Sequence, residues 1–244
     1  MEVYKVKKEA YSEALHKINK KYNSISILRF LTIVFFLVSL YYYIKTSTVF
    51  FMVLAVLLLV LFIVLMRFHS RLLFQKKIKQ ALLAINENEI AYLNREKIPF
   101  EHGLEFNDFH HPYAYDLDIF GDHSVFQNLN RTATFIGKKT LAKQLLTLLP
   151  NEEIVRNQQA IHELDEKLNW RQEFLALAKV SEDTKSGYET LLQWNSFTGS
   201  PLTRVSVVFS FVLPLLFLVT FIAYVVTSNS AFLSVISLLV VINL

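Results

Sequence analysis

Four long apolar runs constrain this chain more than any other feature. They span Phe30 to Ile44, Val49 to Met66, Val205 to Val226 and Ala231 to Leu244. Roughly 20 apolar residues are needed for a helix to cross about 30 Å of hydrocarbon, and these runs approach that length. Hydrophobic residues make up 53% of the sequence, more than soluble domains usually carry. We therefore predict an all-α membrane protein in which transmembrane helix hairpins flank a helical cytoplasmic domain.

The position and length of the outer runs carry two further expectations. The first run starts after a long charged segment and is soon followed by the second, so we predict that it is not a cleaved signal peptide. The last run supplies fourteen residues and no polar flank follows it, so we expect an N-terminal part of a longer protein. Cysteine is absent from the sequence, which excludes disulfides, cysteine-ligated metals and thiol catalysis within it.

Lysine and arginine placement predicts the orientation in the membrane. Seven such residues precede the first run and five follow the second closely, whereas the loop between them holds only Lys45. Positively charged flanks remain in the cytoplasm, so we predict a multi-pass protein of the cell membrane with its N-terminus and residues 67–203 cytoplasmic. Arg204 marks the start of the third run on that side, and the uncharged turn from Thr227 to Ser230 is expected outside.

These boundaries predict four parts in the chain. They are a basic amphipathic flank (1–29), a transmembrane hairpin (30–66), a cytoplasmic helical domain (67–203) and a second transmembrane hairpin (204–244). The flank is predicted to form an amphipathic helix, because apolar residues recur there at helical spacing. Those residues are Tyr11, Leu15, Ile18 and Tyr22. Such a helix lies against the membrane or a partner helix, and we favour the membrane.

The second apolar run is predicted to continue as a helix into the cytoplasm. Phe74, Ile78, Leu82 and Ile85 repeat at steps of three and four residues, and the helix is expected to break near Pro99. The lipid bilayer is thus one predicted partner. The basic flank would attract anionic lipid headgroups at about 1 kcal/mol per residue near the surface.

Residues 99–115 are rich in turns and histidine. Together with Asp116, Asp118, Asp122 and His123 they offer several nitrogen and oxygen ligands, but their spacing matches no metal signature. We therefore favour a loop that docks on the core over a metal site. Its aromatic residues would cover apolar surface. Those aromatics are Phe106, Phe109, Tyr113 and Tyr115.

Residues 116–168 predict short helices with identifiable ends. Gly121 permits a turn, and Asp122 or Ser124 can cap the following helix. Thr132 or Thr134 can cap the next one, which Pro150 stops. Asn151 is then expected to cap a third helix. Its apolar side chains, Ile154, Ile161, Leu164 and Leu168, are expected to face inward.

The segment from Asn130 to Leu141 reads NRTATFIGKKTL. It resembles the R-T-x-T-x-x-G-x-[RK]-x-L signature of the helical core domain of the MutS family of DNA mismatch repair ATPases. The fixed positions are filled by Arg131, Thr132, Thr134, Gly137, Lys139 and Leu141. Residues 154–164 resemble the next helix of that domain, with Asn157 where the family usually has arginine. Leu168, Trp170, Arg171 and Phe174 resemble the continuation in membrane-anchored MutS relatives.

The resemblance implies a division of labour within a longer protein. The six signature residues would serve as junction and capping residues of a core that supports the fold. ATP and magnesium would bind a P-loop domain located C-terminal to these residues, so no cofactor is expected in this part. DNA binding would belong to the complete protein, which the resemblance implies to be a homodimer. The family's Phe-x-Glu mismatch wedge has no counterpart here, because the flank and hairpin occupy its place.

No catalytic motif is recognisable in the sequence itself. A phosphate loop is suggested by the run Gly137, Lys138, Lys139 and Thr140. The motif G-x-x-x-x-G-K-[ST], however, requires Gly at position 132 and Ser or Thr at position 139. Residues 67–203 carry sixteen Lys and Arg against eighteen Asp and Glu, an unfavourable balance for gripping DNA. The alternative hypothesis is a non-catalytic multi-pass membrane scaffold or transport-associated protein. Transport is disfavoured because the apolar runs lack ionisable residues away from their ends.

Overall fold

The structure is a computed structural model that describes residues 1–181, 183–196, 204–227, 229 and 231–242. Throughout these residues every regular element is helical, which confirms the all-α prediction. The chain divides into two compact units, Met1–Tyr188 and Glu189–Leu244. The predicted flank, first hairpin and most of the cytoplasmic domain therefore belong to one unit.

Two helices of 45 residues each form the first hairpin. They are α1 (Glu2–Thr46) and α2 (Val49–Leu93), and each is about 67 Å long. Ser47 and Thr48 connect them, with Ser47 in the left-handed conformation at φ 49°. The predicted flank and first apolar run are thus one uninterrupted helix, because no Gly or Pro occurs before Pro99. Both helices are long and apolar enough to cross a membrane.

A single seam of buried and half-buried side chains runs along the whole hairpin. On both helices these positions recur at steps of three and four residues, the repeat of helices wound around each other. On α1 they include Tyr4, Tyr11, Ile18, Tyr22, Ile25, Arg29, Thr32, Phe36, Ser39 and Tyr43, and on α2 Phe51, Ala55, Leu58, Phe62, Leu65, His69, Leu72, Lys76, Leu82 and Asn86. Below, the apolar half denotes residues 30–66, and the stalk denotes residues 2–29 and 67–93.

The seam changes the interpretation of the basic flank. Tyr11 packs beside Ile78 against a cluster formed by Leu82, Ile85 and Ala176, so the flank has a helical partner. We had favoured the membrane surface as the contact of the flank. The structure replaces it with the alternative, packing against a partner helix. The physical reason is that the repeat on α1 continues without a break from the apolar half into the stalk. The predicted continuation of α2 as a helix past its apolar run is present, and α2 ends at Leu93, shortly before Pro99.

A small core follows the hairpin. It consists of Ala114, Ile119, Phe120, Phe126 and Ala142. A 3₁₀ turn (Leu104–Phe106), α3 (Val125–Leu129) and α4 (Phe135–Leu146) surround it. Gly103 has φ +69°, and a Cβ atom there would lie 2.6 Å from the Phe126 ring. The Phe126 ring of the core packs directly against Gly103 because glycine has no side chain.

The predicted docking loop and helix caps are found in part. Phe106 and Tyr113 pack on the core, whereas Phe109 and Tyr115 are exposed and contact each other at 5.8 Å between ring centroids. Gly121 has φ +113°. The Ser124 hydroxyl oxygen accepts a hydrogen bond from the Gln127 backbone N–H at 3.1 Å, so Ser124 caps α3. We refer to residues 94–188 as the head.

The rest of the head contains α5 (Asn151–Asp165), α6 (Leu168–Val180) and the start of α7 (Lys185–Ser196). Asn151 is the first residue of α5 and Pro150 occupies the capping position, because its φ of −60° and extended ψ already direct the chain into the helix. The prediction that the apolar side chains of α5 face inward is wrong. No residue of α5 is buried and Ile161 is 67% exposed, because α5 contacts the neighbouring α6 only along a short stretch.

The second unit contains α8 (Arg204–Thr227), which includes Pro214, and α9 (Ala231–Ile242). The two helices contact each other, and the Asn229 side chain accepts a hydrogen bond from the Ala231 backbone N–H at 3.0 Å. Part of the predicted external turn, Ser228 and Ser230, lies outside the described residues. Residues 197–203 at the end of the predicted cytoplasmic domain lie outside them as well.

Candidate functional site

The segment from Arg131 to Gly137 lies where the stalk meets the head. Arg131, Thr132, Thr134 and Gly137 line an open groove of about 460 Å³. The other walls come from the start of α1, the end of α2, and helices α5 and α6. Their side chains include Tyr4, Glu89, Leu164, Trp170 and Phe174. Four of the six signature residues are therefore brought together at one joint.

Arg131 is the centre of this joint. Its Nε and Nη2 atoms donate to the two carboxylate oxygens of Glu89 on α2, at 2.5 Å and 3.2 Å. Its guanidinium carbon lies 3.5 Å from the ring centroid of Phe100 and 4.9 Å from that of Tyr92. Paired oxygens and flanking rings suit the planar guanidinium far better than an ammonium. Arg131 thus clamps the head onto α2.

The turn that carries Arg131 is held by hydrogen bonds of the Asn130 side chain. The Asn130 side-chain oxygen accepts hydrogen bonds from the Thr132 backbone N–H at 3.0 Å and from the Thr132 hydroxyl at 2.7 Å. The Asn130 side-chain amide donates to the Glu101 carbonyl at 3.1 Å, and Asn130 is buried. Such short side-chain bonds to the local backbone hold a turn without a helix or strand. Thr132 is therefore used in the turn and does not cap α4.

Thr134 is the cap of α4. Its hydroxyl oxygen accepts a hydrogen bond from the Gly137 backbone N–H at 3.1 Å, and the Asp183 carboxylate accepts one from the Phe135 backbone N–H at 2.9 Å. A Cβ atom on Gly137 would lie 2.9 Å from the Thr134 hydroxyl oxygen and 3.4 Å from Thr132 Cβ. Glycine is therefore required here by close approach, and its backbone angles are ordinary.

The remaining signature residues lie away from the joint. Lys139 is exposed on α4, and Leu141 packs on the core of the head. Lys138, which the signature leaves variable, forms an ion pair with Glu101. Leu141 therefore holds α4 on the core, and Lys139 lies on the exposed face of α4, outside the groove.

The start of α4 does not fit a nucleotide phosphate. A phosphate loop offers free backbone N–H groups and a lysine to the ligand. Here Thr134 and the Asp183 carboxylate take two N–H groups of the first turn, and Lys138 pairs with Glu101. The negative charge of Asp183 would also repel a phosphate. These residues are built for capping, so no chemical step involving ATP is assigned to them.

A second connection joins α2 to α6 one turn from the clamp. Asn86 and Gln172 are both buried, and their amides face each other. The Gln172 Nε2 atom donates to Asn86 Oδ1 at 3.0 Å, and Asn86 Nδ2 donates to the Leu82 carbonyl at 2.7 Å. A paired buried amide inside an apolar interface tends to fix the register of two helices. The sequence signal was Asn86 standing one helical turn after Leu82 in the apolar stripe.

The groove between these connections is mainly apolar. Trp170 and Phe174 stack at 5.4 Å between ring centroids and both remain more than half exposed. At the opposite wall, burial raises the pKa of the Tyr4 phenol, and the charge of Glu89 raises it further. Tyr4 therefore stays neutral at physiological pH. The groove can pack apolar surface and hold a hydrogen bond.

No protein-family model, curated protein or solved structure matches this chain. The MutS resemblance of residues 130–141 thus stays a prediction. Glu89 and Asn130 complete the joint, and the signature does not contain them. Glu89 lies more than 40 residues before Arg131 in the sequence, and only the folded chain shows that they pair.

Proposed function

We propose that this chain is the N-terminal, membrane-anchored part of a MutS-like protein. In this proposal the hairpins anchor the protein as a multi-pass protein of the cell membrane, with the N-terminus and head in the cytoplasm. The head is the helical core that couples the anchor to further domains. The observation that carries the proposal is the Arg131–Glu89 pair, which attaches the signature segment to a membrane-length helix.

The coupling role is supported by the rigidity of the joint. The clamp at Glu89 and the amide pair at Asn86 hold the same turn of α2, from two different parts of the head. Since α2 has no break between Val49 and Leu93, a displacement of the head must tilt or shift the apolar half as well. Coupling between distant sites requires such rigid, physically connected elements.

Chemistry in this proposal belongs to the complete protein. ATP and magnesium would be bound by a C-terminal P-loop domain, and DNA by the complete protein, which would act as a homodimer. The head, residues 94–188, carries eleven Lys and Arg against fifteen Asp and Glu. Neutralising phosphates takes an excess of positive charge, so this head alone would bind DNA poorly. Its contribution is anchoring and transmission.

The test uses the complete gene product. We expect the reading frame after the Leu244 codon to encode a P-loop, and the purified protein to hydrolyse ATP and to bind duplex DNA in a salt-sensitive manner. Arg131→Ala should leave ATP binding intact and abolish the effect of DNA on the hydrolysis rate. Lys138→Ala is the matched control. A protein with no P-loop and no DNA binding at low salt would contradict the proposal.

That negative outcome would favour the alternative class, a membrane scaffold. One observation supports it. The apolar side of α5 and the Trp170–Phe174 stack are exposed, and contiguous apolar surface of this kind commonly receives another protein. A scaffold would capture a partner helix there without ATP or DNA.

A further inference from the structure

The hairpin carries a band of positive charge where its apolar half ends. No Asp or Glu occurs between Glu13 and Glu87, a stretch that contains ten Lys and Arg. Nine of the ten fall in residues 17–29 of α1 and 67–79 of α2. We call these two segments the collar. The sequence alone shows two separate basic flanks, and it does not show how they are placed relative to each other.

The fold brings the two collar segments to the same level. The Tyr22 and His69 rings lie 4.4 Å apart between centroids, and His69 Nε2 lies 3.1 Å from the Ser26 hydroxyl. The Lys76 ammonium lies 5.0 Å from the Tyr22 ring centroid. Together these contacts join residues 22–26 of α1 to residues 69–76 of α2. The two basic segments of the collar therefore lie side by side.

Neither collar segment contains a carboxylate, and Lys17, at the edge of the collar, pairs with Glu13 one turn before it. Arg29 lies in the seam, where its guanidinium covers the Phe62 ring at 5.5 Å. Its Nε atom is buried and has no hydrogen-bond partner within the described residues. Burial, together with the nearby charge of Arg29, lowers the pKa of His69. A positive potential at this level is what an anionic ligand would relieve.

At the edge of the collar the outer surface of the hairpin changes from charged to apolar. Phe30 and Leu31 on α1, and Val64 and Met66 on α2, are exposed apolar residues directly beside it. Around Arg67 and Arg71 a shallow groove of about 250 Å³ continues this apolar surface. Long cationic side chains at such a boundary extend toward the polar side, where lipid phosphates lie.

We propose that the collar binds the headgroups of anionic phospholipids and thereby fixes the depth of the hairpin in the bilayer. The inference rests on the membrane placement proposed above and is independent of the MutS-like role. Charge complementarity on both sides favours lipid over nucleic acid. The head beyond the collar is acidic, with eleven Lys and Arg against fifteen Asp and Glu, and would repel a polyanion that approached from the cytoplasm.

The test measures lipid preference of the full chain in a neutral detergent. Phosphatidylglycerol and phosphatidylcholine are titrated separately, and bound lipid is counted by native mass spectrometry. Each cation near an anionic surface contributes about fivefold to affinity. Wild type should prefer phosphatidylglycerol about tenfold or more. Arg29→Gln/Arg67→Gln/Arg71→Gln should lose that preference, and 0.5 M salt should weaken it in wild type.

The matched control removes three cations from the head, in Lys97→Gln/Lys143→Gln/Arg156→Gln, and should keep the preference. If Arg29→Gln disturbs folding because Arg29 lies in the seam, the exposed pair Arg67→Gln/Arg71→Gln supplies the test. Reconstitution of each variant into phosphatidylcholine vesicles reports membrane insertion separately from lipid choice. A failure to insert there would contradict the membrane placement itself.

Two results would overturn the inference. One is an equal affinity of wild type for the two lipids, or a preference that the collar variant retains. The other is binding of a 20-base-pair duplex by protein in phosphatidylcholine nanodiscs, lost in the collar variant, without any preference for phosphatidylglycerol. The second result would assign the collar to nucleic acid.

Discussion

The apolar half and the stalk of the hairpin share one seam but differ in everything around it. In the apolar half the seam contains small or polar residues such as Thr32, Ser39 and Ala55, and the outer faces are apolar. In the stalk the buried positions include Leu82 and Ile85, which pack with Ala176 of the head, and the outer faces carry charged residues. The repeat of the seam determines how the two helices pair. The outer faces determine whether each half suits an apolar or an aqueous environment.

If the apolar half lies in a bilayer as proposed, different forces hold the two halves. In water, burial of apolar area stabilises the stalk by about 25 cal/mol per Å². In a bilayer that term vanishes between helices, and close packing with occasional hydrogen bonds replaces it. The Ser39 hydroxyl, which donates to the Phe51 carbonyl on the other helix at 2.8 Å, is a bond of this kind. Substitutions in the two halves should therefore change stability in different ways.

The largest effect is expected at the joint of stalk and head. Arg131→Ala leaves the Glu89 carboxylate, only 16% exposed, without its bidentate partner. We expect a loss of about 2–3 kcal/mol in the free energy of unfolding of the head, measured by urea denaturation in detergent. Lys138→Ala removes the partner of the well-exposed Glu101 and should cost under about 1 kcal/mol. Equal losses in the two variants would contradict the clamp.

The next effect separates the seam from the outer surface in the apolar half. Ala55 is buried in the seam and Val56, its neighbour, is more than half exposed. Ala55→Phe should force the helices apart and destabilise the hairpin by about 1–3 kcal/mol, read from its unfolding in increasing SDS. Val56→Phe should be nearly neutral. A larger loss of stability in Val56→Phe than in Ala55→Phe would contradict the assignment of Ala55 to the seam.

A smaller effect is expected at the cap of α4. Gly137→Val places a branched side chain against the Thr134 hydroxyl and should cost about 1–2 kcal/mol through loss of the cap. Gly187 offers a comparison, because Thr184 caps α7 in the same way and a Cβ there would lie 3.2 Å from the Thr184 hydroxyl oxygen. Gly187→Val should cost less. Unchanged protease resistance of Gly137→Val would refute the close-approach role.

These comparisons show which parts of the fold the sequence predicts. Local signals were sufficient for Gly121 and for the end of α2 before Pro99, and they gave Ser124 as one of two candidate caps, because each feature depends on a few neighbouring residues. The spacing of Tyr11, Leu15, Ile18 and Tyr22 correctly indicated a helix with an apolar face. It did not choose between membrane and partner helix, because an apolar face fits both.

The candidate site divides in the same way. The cap at Thr134 depends on residues within one turn and was among the predicted alternatives. The Arg131–Glu89 clamp and the Asn86–Gln172 pair join residues 42 and 86 positions apart, and pairing at that separation leaves no local pattern. The inward face assigned to α5 failed because amphipathicity shows which side is apolar and not whether anything covers it.

The smallest expected effect is a pH dependence at the collar. His69, flanked by Tyr22, Ser26, Arg29 and Lys76, has a pKa lowered first by burial and then by Arg29. The unfolded chain therefore takes up a proton at higher pH than the folded one, and stability falls as pH drops below about 6.5. Thermal unfolding between pH 7 and 5 should show this loss, and His69→Gln should reduce its slope. An identical slope in both proteins would contradict it.

The most direct test of the account labels single cysteines in intact cells, since the sequence has none of its own. Ser47→Cys lies in the turn of the hairpin, Ser12→Cys in the stalk, and Leu148→Cys in the head at a position 88% exposed. We predict that a membrane-impermeant maleimide labels Ser47→Cys in intact cells, and the other two only after lysis. Labelling of Leu148→Cys together with Ser47→Cys before lysis would contradict a hairpin that crosses the membrane with the head inside.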